Sequence, residues 1–127
     1  MDDRERKSLG LLGEQLALEH LLRHGLKLVI RNYRCKMGEI DLVMLDGATL
    51  VVVEVRYRAS DDFGGAAASI TWDKQRRLTR TTEHLLMKRA ELKHYPARFD
   101  VIAITTGAAR DPAAELKIDW IKRAFDL

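Results

Sequence analysis

A mixed α/β domain, ordered helix, three strands, helix, strand around a mixed central sheet, is the fold class that the sequence predicts. Three observations carry it. Leucines recur at helical spacing over residues 6–24, three alternating or β-branched segments follow over residues 26–58, and a second helical pattern separates these from an apolar strand at residues 98–105. With 127 residues and 46% hydrophobic side chains, one compact domain with one core is expected.

In the first helix Leu9, Leu12 and Leu16 form one stripe and Leu11, Leu18 and Leu22 another, with Gly25 placed as a C-terminal cap. Gly10 and Gly13 disfavour an isolated helix and imply close packing against a sheet. Residues 26–33, 38–45 and 50–58 read as three strands of a meander, the last (LVVVEVRYR) being the strongest. Asp46-Gly47 suits a tight hairpin turn. A two-residue loop there would pair residue 45 with 48, 41 with 52 and 39 with 54. Residues 59–69 (ASDDFGGAAAS) are small, polar and glycine-bearing, as in a mobile connection or lid. Thr71 is placed to cap a second helix running to about Arg89, and Pro96 ends that region. Because a helix precedes the strand at residues 98–105, that strand is expected parallel to the third, by a right-handed crossover. A loop at residues 107–112, a short strand at 116–118 and a last helical turn or two at 120–125 complete the chain.

Lys and Arg total 22 against 19 for Asp and Glu, a net charge of +3 that permits a polyanionic partner without demanding one. The charged start MDDRERK contains no signal-peptide core, and no apolar run reaches membrane length, so a soluble cytoplasmic protein without membrane association is expected. Cys35 is the sole cysteine, which excludes an internal disulfide and a thiolate zinc site. An ordinary core or surface thiol is its expected role.

The segment of most chemical interest spans residues 38–58. Side chains alternate along a strand, so Glu39 and Asp41 share one face of the second strand, while Glu54 and Arg56 share one face of the third. The hairpin register turns all four to the same side and leaves Ile40, Leu42, Val51, Val53 and Val55 opposite, as core. Carboxylates gathered on a Val-rich sheet repel one another unless a cation sits among them, and oxygen clusters of this kind suit magnesium or manganese. A solvated face of a half-exposed hairpin would explain the same charges. Against that, the third strand is apolar on both faces until Glu54, as in a central strand whose polar end carries a site.

Asp41, twelve intervening residues and then Glu54-Val55-Arg56 resemble the PD-(D/E)xK nuclease motif. The surrounding GEIDLV and VVVEVRYR, with LGLLGEQLALEHL at residues 9–21, GGAAASITWDKQRRL at 64–78 and RFDVIAI at 98–104, resemble the YraN family of small restriction-endonuclease-like proteins. The resemblance implies a restriction-endonuclease-like core, similar to that of Holliday junction resolvases and other structure-acting nucleases. It implies a metal, Mg2+ or Mn2+, held by Asp41, Glu54 and the Val55 carbonyl, with Glu14 as the upstream acidic residue many members of the superfamily add. Glu14 also stands in line with Leu11, Leu18 and Leu21, where a carboxylate is costly unless paired or ligating, although a surface glutamate near a helix N-terminus reads the same way. The chain departs from the motif at Arg56, where most members have lysine. Arginine cannot act as a general base but can hold a phosphate oxygen pair. Lys74 is the candidate for the missing ammonium, and a solvated helix lysine is its alternative reading.

Residues 72–94 hold seven basic residues (Lys74, Arg76, Arg77, Arg80, Lys88, Arg89, Lys93) against three acidic ones. Arg76 and Arg80, four apart, can follow a phosphate backbone, or simply form a solvated face. Trp72 and Tyr57 are candidates for base stacking or for core and rim packing. His20 and His24 have helical zinc spacing without the glutamate of HExxH, which argues against zinc. Arg98 and Asp100 share a strand face and are expected to support the site. The expected function is metal-dependent hydrolysis of DNA phosphodiesters on branched or otherwise structured DNA, in a monomer or homodimer. The rival reading is a catalytically silent DNA-binding module of the same fold.

Overall fold

A computed structural model describes residues 3–58, 70–105 and 117–125, apart from the side chains of residues 5–9 and 58. The expected lid at residues 59–69, the loop at 107–112 and Leu116 lie outside the described residues. The elements are α1 (Asp3–Arg23), β1 (Lys27–Cys35), β2 (Gly38–Asp46), β3 (Thr49–Arg58), α2 (Trp72–Lys88), a 3-10 turn at Ala90–Leu92, β4 (Ala97–Thr105) and β5 (Lys117–Phe125). The five strands form one sheet in the order β1-β2-β3-β4-β5. β3 and β4 are parallel, as the intervening helix requires, and the other pairs are antiparallel. The mixed α/β architecture is that of a restriction-endonuclease-like core. No helix of the described residues is long and apolar enough to cross a membrane.

Each helix covers one face of the sheet. Ala17, Leu18 and Leu21 of α1 pack against Leu42, Met44, Val51, Val53, Ile102 and Ile104, while Leu78 and Leu85 of α2 pack against Ile40, Val43, Leu50, Val52 and Phe99. The run of apolar residues in β3 follows from this, since the central strand is buried on both sides. Ile40 departs from the expected alternation: it joins the α2 cluster, whereas Leu42 joins the α1 cluster.

Neither leucine stripe of α1 forms the packed face as a whole. Leu11, Leu12 and Leu22 are 60%, 49% and 47% exposed, and the buried face runs through Gly13, Ala17, Leu18 and Leu21. Leucines surround this helix, so its small residues decide the contact. A Cβ on Gly13 would meet Ile104 Cδ1 at 3.7 Å and Val55 Cγ1 at 3.9 Å, in ordinary contact with the sheet, whereas nothing lies within 4 Å of one on Gly10. The packing expected of both glycines thus applies to Gly13 alone. α1 closes as expected at Gly25, with Leu26 N–H donating to the Leu21 carbonyl at 3.1 Å and Gly25 N–H to the Leu22 carbonyl at 3.1 Å.

The β2–β3 register differs from expectation by two residues. Asp46 pairs with Thr49, Leu45 with Leu50 and Leu42 with Val53, so the loop is Gly47-Ala48. Gly47, with φ +58, takes the first loop position, where a Gly-X hairpin turn needs a positive φ. An even shift preserves strand parity but projects Asp41 opposite Glu54 instead of Val52.

Residues 120–125 are not helical; they continue β5. Trp120 pairs with Ile102 and Ile121 with Val101, whereas Phe125 pairs with Phe99, so three β5 residues face Asp100 alone. This bulge, with Arg123 at φ +52, gives the apolar residues Trp120, Ile121, Ala124 and Phe125 a spacing that mimics a helix. Asp100, 1% exposed, holds the bulge: it accepts from Arg123 N–H at 3.1 Å, Trp120 Nε1 at 2.9 Å and Arg98 Nε at 3.1 Å. Arg98 also donates to Asp46 at 2.9 Å beside the hairpin turn. One buried carboxylate therefore fixes β5 and, through Arg98, the β2–β3 turn. Removing one partner of a buried ion pair costs about 3–5 kcal/mol. Asp100→Ala should lower unfolding stability in urea by an amount of that order, with Asp100→Asn losing less.

Candidate active site

The site begins where β2 and β3 part. Their ladder runs from Asp46–Thr49 to Leu42–Val53, whereas β3 stays paired with β4 through Arg58–Thr105. Past the fork, the Val55 N–H donates to Asp41 Oδ2 at 2.8 Å, so a side-chain carboxylate replaces the missing strand acceptor. Glu54, 6% exposed, turns toward α2. Lys74 Nζ lies 2.6 Å and Arg56 Nη1 3.8 Å from Glu54 Oε1. Lys74 is positioned by the helix start, because Thr71 caps α2 and accepts from Lys74 N–H at 3.2 Å. Asp41, Glu54, Lys74, Gly38, Glu39, Arg77 and Leu78 line a cavity of about 210 Å³.

Glu14 reaches the same place from α1. One oxygen each of Glu14, Glu39 and Asp41 lie within 4.8 Å of one another. Glu14 Oε1 is buried without a hydrogen-bond partner among the described residues. Burial pushes the Glu14 carboxyl up, opposed by Arg31 and reinforced by Glu39. The Asp41 carboxyl is pushed up to about 8, by burial first, then by Glu54, against the Val55 hydrogen bond, with Glu14 and Glu39 adding to the rise. An orphaned buried oxygen within a set of carboxylates fits a hard divalent cation, which takes oxygen ligands of this kind. Gly38 begins β2 at φ +152, and a Cβ there would come within 3.0 Å of Thr81 Oγ1 on α2, so glycine permits the approach of β2 to the helix.

The structure brings together Glu14, Asp41, Glu54, Lys74 and Arg56, with Val55 entering through its N–H. Glu39, which the sequence places on one strand face with Asp41, belongs to the carboxylate trio and pairs with Arg34 at 3.5 Å. Arg77 was missed as a site residue; its position one helical turn after Lys74 was the available signal. Arg76 and Arg80 are exposed on α2, the Arg76 guanidinium 4.7 Å above the ring of the 67% exposed Trp72. Tyr57 packs against the α1-side core. The His20 and His24 rings lie 4.3 Å apart and tilted, each edge-on to Trp120. Arg98 and Asp100 do not support this site; the hydrogen bonds found for them go to each other, the bulge and Asp46.

A carboxyl whose folded value lies above its ordinary 3.8 contributes stability that is full below about pH 4 and lost as pH rises through about 8. Metal-free protein should therefore lose stability across that range. Asp41→Asn retains an acceptor for Val55 N–H and removes the charge, so it should flatten the loss, as urea denaturation between pH 5 and 9 in chelator can measure. A divalent ion that binds there displaces the proton, so its affinity should rise with pH.

The model of the Uncharacterised protein family UPF0102 matches residues 13–104. Among similar proteins, a UPF0102 protein of Cupriavidus pinatubonensis is 51% identical over 93% of this chain and 85% of its own length. Others from Saccharophagus degradans and Legionella pneumophila strain Philadelphia 1 are 47% and 45% identical, over 93% and 92% of this chain and 92% and 93% of their own lengths. The matched region holds α1 from Gly13, the strand fork, α2 and nearly all of β4, so the chain belongs to family UPF0102, the YraN family its motifs resemble.

Proposed function

We propose that this protein is a metal-dependent nuclease that hydrolyses DNA phosphodiester bonds, with branched or otherwise structured DNA as its substrate. The observation that carries the reading is the convergence of Asp41 and Glu54 beside the Lys74 ammonium in one small cavity, with a Glu14 oxygen within 4.8 Å of an Asp41 oxygen. Asp41 and Glu54, with Glu14 and the Val55 carbonyl, would hold Mg2+ or Mn2+. Such an ion supplies water at a usable pKa and charge for the leaving oxygen.

The protein's own groups have separate tasks. Asp41 is fixed by the Val55 N–H, leaving its other oxygen to the site. Lys74 lies closer to Glu54 than Arg56 does, which favours Lys74 as the cation that meets the scissile phosphate and Arg56 as a second positive charge behind it. Arg77 lines the same cavity and can take a phosphate oxygen. Arg76 and Arg80 on the outer side of α2 suit contacts to the flanking backbone, which position DNA without reading its sequence.

The test is single-turnover cleavage of single-stranded, duplex, flap and four-way-junction DNA with Mg2+ or Mn2+. Asp41→Asn should abolish cleavage with the fold retained. Lys74→Ala should cost on the order of 10²-fold to 10³-fold in rate, as for removal of a charge-stabilising contact in the transition state. Arg56→Lys should keep much of the activity. DNA binding without metal-dependent cleavage of any substrate would sink the nuclease reading in favour of a silent binding module.

A further inference from the structure

A second, larger groove adjoins the candidate active site. It has a volume of about 820 Å³ and lies between the end of β1, the β1–β2 turn and the C-terminal half of α2. Its apolar surface comes from Ile30, Tyr33 and Met37, with Met37 36% exposed. Lys36 and Lys88 stand over it, both exposed and without an ion-pair partner among the described residues. Arg34 and Arg89 also line it but are already engaged by Glu39 and Glu91.

The two cavities share one face of α2. Lys74 and Arg77 line the first, Thr81 touches the start of β2 at Gly38, and His84 and Lys88 line the second. These positions follow the spacing of a single helical stripe. From Lys74 to Lys88 it extends about 21 Å, at 1.5 Å per residue. That length takes about six nucleotides at the duplex rise of 3.4 Å and fewer in an extended strand.

We infer that this groove holds a single-stranded DNA segment flanking the scissile phosphate, its phosphates on Lys36 and Lys88 and its bases against Tyr33 and Met37. The inference rests on the nuclease reading for the identity of the strand. Basic side chains above an apolar, aromatic floor fit a strand whose bases can turn inward and stack. A duplex keeps its base faces stacked on one another and would present only phosphate to that floor. The substrate class is therefore DNA that is unpaired on one side of the cut, such as a flap or a splayed junction arm.

Binding can be measured apart from cleavage, in chelator, by the anisotropy of a labelled single strand of roughly 12 nucleotides and of the corresponding duplex. The double variant Lys36→Ala, Lys88→Ala should bind the single strand about tenfold more weakly, and its log–log salt slope should fall by about 1.4, the value for two phosphate contacts. Duplex affinity should change by less than about twofold if the groove takes only unpaired strand. Cys35 lines the groove and is the sole cysteine, so its alkylation by iodoacetamide reports occupancy directly. Saturating single strand should slow that reaction in the wild-type protein. Alkylation at the unprotected rate, or equal losses for single strand and duplex, would overturn the groove assignment even if the protein cleaves DNA. Protection of Cys35 without cleavage in metal would uphold the groove and overturn the nuclease reading.

Discussion

The hydrogen bond from the Val55 N–H to Asp41 Oδ2 is the interaction on which the rest of the site depends. A buried backbone donor must find an acceptor, and a central strand ordinarily finds it in the next strand. Here the β2 ladder has stopped at Leu42–Val53, and the acceptor is a carboxylate. β3 can therefore keep its pairing with β4 while releasing β2, and the space that opens is the cavity. Any residue at 41 without an acceptor would leave the donor unpaired or close the fork, so the side chain to which the proposal gives a chemical role also carries a structural one.

The same arrangement has an energetic cost. Burial and three neighbouring carboxylates oppose ionisation of Asp41, while the hydrogen bond from Val55 favours it. Lys74 and Arg56 compensate Glu54, on the α2 side. Glu14, Glu39 and Asp41 face one another with less relief, and one buried Glu14 oxygen has no hydrogen-bond partner among the described residues. A cluster that is costly when empty gains most from a ligand that neutralises it, since such a ligand stabilises only the folded chain.

Strand parity made the acidic face legible from sequence, because an error of two residues in register keeps a paired side chain on its own face; Ile40, beyond the last β2–β3 pair, is the exception. The register itself was not legible: Asp46-Gly47 and Gly47-Ala48 are both plausible loops, and the choice is made by pairing along the strands together with the Asp46–Arg98 contact. The Thr71 cap and the parallel β4 followed from local chemistry and connection length. The packed face of α1 did not, because leucine surrounds that helix and the sheet selects Gly13 and Ala17 by size. β5 read as helix at its end because Asp100, distant in sequence, holds a bulge that shifts the alternation. Arg77 was hidden among seven basic residues of one region until the direction of α2 was fixed by Leu78 and Leu85.

The helices lie on opposite faces of the sheet, yet residues from both meet at one site. A continuous sheet would keep Glu14 of α1 apart from Lys74 of α2, with a layer of backbone between them. Where β2 leaves β3 that layer is interrupted, and Asp41 can stand within 4.8 Å of Glu14 while lining the cavity that Lys74 closes from the other side. The strand fork thus does more than expose a carboxylate. It joins the acidic group of one layer to the basic groups of the other, so negative charge suited to a cation lies next to positive charge suited to a phosphate. The fork achieves that juxtaposition without breaking the β3–β4 ladder.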